Sequence, residues 1–235
     1  MNRGPLIFLG VFVSMAVTWY GMLVVPSRQI GGQQQANVGP ANERYPIPRL
    51  GPAHRGADVY RSNGCAYCHT QQVRPQGYGA DFERGWGLRM SAAQDFLFDE
   101  TAALGQVRIG PDLANVGFRL TDEAWHYAHL YNPKSKVNGS LMPQYPFLFK
   151  EQPVSGSPSS DALVLTGAFA PPSGIEIVPT GEARALVAYL MSLKSQAPLF
   201  ETPLPAAPKS KEADATETTA SSGGANAQSN LALNR

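Results

Sequence analysis

The chemistry of this 235-residue sequence concentrates in one pentapeptide, Cys65-Ala66-Tyr67-Cys68-His69, which contains both cysteines of the chain. The C-x-x-C-H spacing is typical of covalent c-type haem attachment. On a helical turn, residues i and i+3 face the same way, so both thiols can reach the two vinyl groups on one porphyrin edge. His69 can then offer its imidazole to the iron from the same side. We therefore predict one covalent haem c, attached to Cys65 and Cys68 and ligated by His69.

Other uses of this cysteine pair fit the surrounding sequence less well. A thioredoxin-like C-x-x-C belongs in a βαβ unit, whereas a proline-rich segment and short helices flank this one. A zinc site needs more ligands, and no second Cys or His pair lies at a familiar spacing. A disulfide between Cys65 and Cys68 would leave His69 without a role. Because the pentapeptide uses both cysteines, a disulfide-rich scaffold, a four-thiolate cluster and a dicopper centre are excluded.

The opposite face of the iron needs a second ligand or an open position. Met142 is the leading candidate because two prolines stiffen its loop, and a thioether ligand raises the reduction potential. Met90 is an alternative. So are His126 and His129, which lie three residues apart in a helix predicted over 121–130, although helical histidines are more often held by ordinary hydrogen bonds. An open position would instead indicate a gas sensor or a peroxidase.

Charged residues are few and balanced. They make up 16% of the chain, with a net charge of +1, which argues against a nucleic-acid partner. We expect Arg84 and Arg108 to be mostly solvated. Arg74 is the best candidate for a haem propionate, because it closely follows the pentapeptide and a guanidinium matches a carboxylate in shape.

The N-terminus carries a candidate membrane anchor. The run Leu6–Val25 contains no charged residue, and about 20 apolar residues suffice to cross the hydrocarbon core. Trp19 and Tyr20 fall near its C-terminal end, where amphipathic rings suit the headgroup zone. A cleaved signal peptide fits less well, because the run is long and no A-x-A-like site follows it. We therefore predict an uncleaved transmembrane anchor over residues 1–27.

The rest of the chain divides by composition. A Gly-, Gln- and Pro-rich stretch without periodicity, residues 28–52, is predicted to be an extended connector. Residues 53–195 are predicted to form the haem domain, with a Gly-, Pro- and Ser-rich inserted loop at about 152–174. Residues 196–235 are predicted to be a disordered tail, because this segment is polar and has almost no aromatic residues.

Two predicted helices flank the domain. One precedes the pentapeptide, and its Gly56 would allow a close backbone approach. The other covers 180–194, with Thr180 as N-cap. Its apolar stripe needs a partner surface and comprises Leu186, Tyr189, Leu190 and Leu193.

Such a helix pair resembles the class I cytochrome c fold, and Gly110-Pro111-Asp112-Leu113 resembles the G-P-x-L segment of that fold. The resemblance implies a mainly α class: one transmembrane helix, then a class I cytochrome c-like helical domain with long loops. It also implies that the Pro111 carbonyl accepts a hydrogen bond from Nδ1 of His69, which would fix the imidazole tautomer. The place of Met142 in the chain matches the class I order of ligands.

Several ordered segments extend the resemblance to a particular family. CAYCHTQQVRP, ADFERGWG, RIGPDLANVG, EAWHYAHLYNP and SLMPQYPFL resemble the membrane-anchored mono-haem subunit II, FixO-like, of cbb-type (C-family) haem–copper oxidases. The resemblance covers about residues 5–195. The inserted loop and the long tail are not recognised features of the family.

This resemblance implies an electron-transfer role, non-catalytic in itself, in a respiratory cytochrome c oxidase. The haem would relay electrons to the haem–copper subunit that reduces oxygen, and a further cytochrome c subunit or a soluble cytochrome c would be the donor. It implies a bacterial cytoplasmic (inner) membrane location, single-pass, with the haem domain on the periplasmic side. The alternatives are a membrane-tethered cytochrome c shuttle or the small cytochrome subunit of a nitric oxide reductase.

Overall fold

The apolar N-terminal run is helical. In the computed structural model, which describes residues 3–200 and Leu204, helix α1 (Gly4–Trp19), a π-helical turn (Tyr20–Val24) and helix α2 (Val25–Gly31) form 28 continuous helical residues. The most apolar 18 residues of this helix have a mean hydropathy of 2.0, and none of its residues is buried by the rest of the chain. The helix therefore has the length and composition of a single membrane span.

The connector is folded, contrary to the prediction of an extended segment. Strands β1 (Ala36–Val38) and β2 (Glu43–Tyr45) pair antiparallel, with Ala36 opposite Tyr45. A buried ion pair fixes this hairpin to the domain: Tyr45 donates to Asp95 at 2.7 Å, and Asp95 accepts from Arg89 at 2.6 Å. Burial, together with Asp95, raises the pKa of Tyr45 well above its ordinary value, so the phenol keeps its proton.

Two crossing helices form the centre of the domain. Helix α3 (Pro52–Ser62) packs on helix α6 (Gly181–Ser192), whose Thr180 side chain accepts from the Ala183 N–H as predicted for an N-cap. A Cβ at Gly56 would lie 1.9 Å from the Ala185 carbonyl oxygen, which confirms the predicted close backbone approach. The four predicted stripe residues of α6 are all buried, so this stripe meets the core.

Two further helices complete the helical part. Helix α4 (Val116–Arg119) is short, and helix α5 (Glu123–Tyr131) begins after Asp122, which accepts the Ala124 N–H at 2.9 Å. Single 3₁₀ turns occur at Cys65–Tyr67, Ala93–Phe96, Pro133–Ser135, Pro146–Leu148 and Gly167–Phe169. The described residues are thus mainly helical.

A second strand pair encloses the inserted segment. Strands β3 (Phe149–Pro153) and β4 (Ile175–Pro179) pair antiparallel, so the segment between them closes a hairpin. Glu176 fixes this segment by accepting from Gln152 Nε2, Ser159 N and Ser159 Oγ at 2.6–2.7 Å. Of the predicted tail, residues 201–203 and 205–235 lie outside the described residues.

Candidate functional site

The pentapeptide begins on a tight turn directly after α3. Gly64 precedes it with a left-handed φ of 70°, which favours glycine. The backbone N–H groups of Cys68 and His69 both donate to the Cys65 carbonyl, at 3.2 and 3.0 Å. Both cysteine side chains then line one cleft, together with His69. The turn therefore presents two free thiols and one imidazole to a common space.

The imidazole of His69 is fixed in one tautomer. Its Nδ1 lies 2.8 Å from the Pro111 carbonyl oxygen, and because a carbonyl only accepts, Nδ1 carries the proton. Nε2 is left with a lone pair that can bind a metal. Burial lowers the pKa of His69, so this imidazole is neutral near pH 7. A Cβ at Gly110 would lie 2.2 Å from the His69 ring, so any residue larger than glycine at this position would displace the ring or the backbone.

The cleft is large, mostly apolar and free of ionised side chains in its wider part. That part has a volume of about 400 Å³, and none of its lining residues is Asp, Glu, Lys or Arg. A smaller cavity of about 90 Å³ adjoins it, and the two share His69, Pro111, Trp125, His129 and Met142. The structure therefore brings five of the six predicted site residues to one cavity, counting Cys65, Cys68, His69, Pro111 and Met142.

The other candidates for the iron ligand occupy different surroundings. His126 is buried, and its Nε2 is 2.9 Å from the Leu120 carbonyl oxygen. His129 lines the cleft and stacks on Trp125 with ring centroids 4.6 Å apart. Burial, followed by the neighbouring imidazoles of His126 and His69, lowers the pKa of His129 to about 4. Its Nδ1 is buried without a hydrogen-bond partner, and Met90 lines neither cavity.

Arg119 is a partly buried cation beside the cleft that the sequence did not predict. It lines the smaller cavity beside His69, and its guanidinium donates to the Asp112 carbonyl. Its Nε is buried and lacks a partner, and burial lowers its pKa. Among the described residues it forms no ion pair with a carboxylate. The signal in the sequence is a lone arginine within the apolar stretch Val116–Leu120.

Arg108 is largely buried, contrary to the expectation that it is solvated. It pairs with Asp81 at 2.6 Å and donates to Thr70 Oγ1 at 2.7 Å. Asp112 completes the network by accepting from Thr70 and from the Gln72 N–H. The network joins the segment after His69 to the segment that contains Pro111, and so holds the two partners of the imidazole hydrogen bond together.

Arg74 belongs to the edge of the same network. Its backbone N–H donates to Asp81 at 2.7 Å, and it lines neither part of the cleft. Burial raises the pKa of Asp81, but hydrogen bonds from Arg108 and the Arg74 backbone outweigh it and lower that pKa overall. The interaction of Arg74 with a haem propionate stays a prediction.

The residues of the cleft fit a haem better than the alternatives. Burial, followed by the charge of Cys68, raises the pKa of Cys65 to about 11, whereas reactive redox cysteines have lowered pKa values. Within residues 3–200, no group of three or more His, Cys, Asp or Glu side chains could hold a metal ion. A porphyrin uses the thiols as thioethers and supplies its own nitrogens to the iron. Its two carboxylates would give the unpaired donors of Arg119 and His129 an acceptor.

Comparison with known proteins points the same way. A family model described as "Cytochrome C oxidase, mono-heme subunit/FixO" matches residues 6–166, which is more than half of the chain. The matched region includes the N-terminal helix, the pentapeptide, Pro111 and Met142. No curated protein matches the chain significantly.

Proposed function

This chain belongs to the FixO family of mono-haem cytochrome c oxidase subunits, and on that premise we propose that it relays electrons through one covalent haem c to the haem–copper subunit of a cbb-type oxidase. Family membership implies one haem and a catalytic partner subunit. The observation that carries the finer proposal is the single cleft that Cys65, Cys68, His69 and Met142 all line. The domain that holds it is proposed to be of the class I cytochrome c type.

Several residues of the cleft would attach and orient the haem. Cys65 and Cys68 provide the thioether links, and His69 offers Nε2 to the iron. When bound, the haem supplies a one-electron redox couple. The Pro111 carbonyl keeps the proton of His69 on Nδ1 and makes the imidazole a more basic ligand. Gly110 lets the backbone approach the ring closely enough for that hydrogen bond.

Met142 is proposed as the second residue that would bind the iron. It is partly buried and lines both parts of the cavity, and its N–H donates to Ser140 Oγ at 3.3 Å. A thioether in an apolar wall favours the reduced state of the iron and excludes water. A relay benefits from a saturated iron, since oxygen cannot then bind and divert electrons.

Arg119 is proposed to neutralise a haem carboxylate. A partly buried guanidinium without a carboxylate partner is costly, because its charge has lost water and gained little in return. A propionate beside the Nε of Arg119 would remove that cost. His129, neutral and with an unpaired Nδ1, is suited to donate a further hydrogen bond.

The membrane helix is proposed to place this domain at the periplasmic face of a bacterial cytoplasmic membrane. Haem c attachment in this family takes place outside the cytoplasm, so Cys65 must be exported. A further cytochrome c subunit or a soluble cytochrome c is the proposed electron donor. Protease added to intact spheroplasts should cut the chain after Gly31; full protection, with lysed cells cut as control, would refute this orientation.

Purification of the complex through this chain tests the function. In mild detergent we expect one covalent haem c per copy of this chain, and a copurifying subunit that contains haem b and copper. The matched control is a Cys65→Ala/Cys68→Ala variant, which should lose the covalent haem. A lone cytochrome would indicate a tethered shuttle, and a partner with non-haem iron would indicate a nitric oxide reductase. Either result would overturn the oxidase assignment.

A further inference from the structure

A second cleft lies away from the haem site, between the connector and the chain that follows α6. Its volume is about 700 Å³, and its walls come mainly from residues around 43–50 and 192–197, with Phe118 also lining it. It shares no lining residue with either of the two cavities around His69. The haem therefore does not account for this cleft.

Large apolar side chains stand exposed around this second cleft. Ile47 is 74% exposed, Leu50 is 77% exposed and Phe118 is 49% exposed. Pro46 and Pro48 flank Ile47 and restrict its backbone, so little entropy is lost when the segment binds. Aliphatic side chains held outward on a stiff loop indicate a surface that contacts something apolar.

The same cleft carries a small excess of positive charge. Arg44 and Lys194 are exposed on its walls, and neither forms an ion pair within residues 3–200; the Lys194 ammonium lies 5.6 Å from the Phe118 ring centroid. The third cation, Arg49, is paired with Asp99. Of the two carboxylates, Asp95 is paired with Arg89, so only Glu43 opposes the two unpaired cations.

The chain connectivity keeps this cleft close to the membrane surface. The helix Gly4–Gly31 has 28 residues, about 42 Å at 1.5 Å per residue, which is about the thickness of a bilayer with its headgroups. Four residues later, Gln35 Nε2 donates to the Pro46 carbonyl at 2.8 Å. Four residues span at most about 14 Å, so Pro46 stays near the point where the helix leaves the bilayer.

We propose that this cleft binds an anionic phospholipid of the bilayer that the chain's own helix spans. Arg44 and Lys194 contact the phosphate, and Ile47, Leu50 and Phe118 contact the acyl chain. Apolar side chains flanked by cations match the two ends of such a lipid, and each unpaired cation near a membrane surface attracts anionic headgroups. The proposal rests on the membrane anchor and not on the haem or the oxidase assignment.

Native mass spectrometry of the full-length haem protein tests this proposal. The protein in non-ionic detergent receives equal amounts of phosphatidylglycerol and phosphatidylcholine, and the retained lipids are counted. We expect selective retention of one phosphatidylglycerol, and about a 25-fold weaker preference in Arg44→Gln/Lys194→Gln, since each cation near a membrane contributes about fivefold. The matched control is Arg55→Gln/Lys150→Gln, two exposed cations that do not line the cleft.

Covalent haem content and melting temperature show whether each variant is folded. Should the double variant fail to fold, Ile47→Ser/Leu50→Ser is the second test, because it weakens the acyl contact without changing the charge. Equal retention of the two lipids by the unaltered protein would overturn the proposal. So would an unchanged lipid preference in a folded variant that instead loses the catalytic subunit, since the cleft would then be a protein contact. A protein that holds the lipid but copurifies with no oxidase would contradict only the proposed function.

Discussion

Gly110→Ala tests how His69, the proposed iron ligand, is positioned. The new Cβ would lie 2.2 Å from Cε1 of His69, 2.8 Å from Nδ1 and 2.9 Å from Nε2, whereas ordinary contacts begin at 3.4 Å. The ring must therefore move by 3.4 − 2.2 = 1.2 Å, or the backbone must yield. A shift of that size away from residue 110 is enough to break the 2.8 Å hydrogen bond to the Pro111 carbonyl.

Two measurable effects follow from this displacement. Overpacking should lower the free energy of unfolding by about 1–3 kcal/mol, and the melting temperature by about 2–4 °C per kcal/mol. Loss of the hydrogen bond makes the imidazole a weaker donor to the iron, which favours the reduced state and raises the midpoint potential. A hydrogen bond contributes about 0.5–1.5 kcal/mol, so the rise should not exceed about 60 mV for one electron.

Redox titration and thermal melting of the haem-loaded protein measure both effects. Gly181→Ala is the matched control, because a Cβ there meets no atom within 4 Å and should leave the potential unchanged. If Gly110→Ala keeps both the potential and the melting temperature of the unaltered protein, the reasoning about the His69 contact is wrong.

Four further changes separate the roles of other residues. Met142→Ala should let carbon monoxide bind the reduced haem and should abolish the spectrum of a sulfur-ligated iron, whereas persistence of that spectrum would favour Met90. Asp95→Asn should cost about 3–5 kcal/mol in denaturant unfolding, because it leaves Arg89 buried and unpaired; the control Asp161→Asn, from an exposed pair with Arg184, should cost less than about 1 kcal/mol. Hydrogen bonds from Ser159 and Gln152 lower the pKa of Glu176 below its ordinary 4.5, so its stabilisation is complete above that pH and is lost as the pH falls further. Thermal melting should therefore show Glu176→Gln less stable than the unaltered protein at pH 7, with the difference shrinking as the pH falls below 4.5, and a difference that does not depend on pH would contradict this. A chain truncated after Phe200 should still incorporate haem, and loss of covalent haem would reveal a structural role for the tail.

Local patterns in the sequence predict the parts of this fold that depend on local rules. The apolar stripe of α6, its Thr180 cap and the close approach at Gly56 follow from helical periodicity and from the absence of a glycine side chain. The pentapeptide likewise implies its own turn, because its spacing suits one.

Pairings between distant residues are what the sequence leaves open. Strands β1 and β2 have only three residues each, too short for a visible alternation, and β3 pairs with β4 across the inserted segment. The carboxylate that pairs with Arg108 is set by how the chain folds back on itself, and so is the lack of one for Arg119 among the described residues. Burial of these two arginines therefore could not be derived from their neighbours in sequence.

The buried guanidinium of Arg89 joins two segments that are far apart in the sequence. It contacts Asp95, donates to the Ala197 carbonyl at 2.6 Å and lies near the Tyr45 hydroxyl. Tyr45 lies in the connector that leads from the membrane helix, and Ala197 follows α6. One side chain, Arg89, therefore contacts both ends of the domain. Displacing either segment would break a hydrogen bond to this buried ion pair, either from the Tyr45 hydroxyl to Asp95 or from Arg89 to the Ala197 carbonyl. The connector and the segment after α6 are therefore joined through one buried ion pair, and loosening either segment would leave a polar group of that pair without its partner.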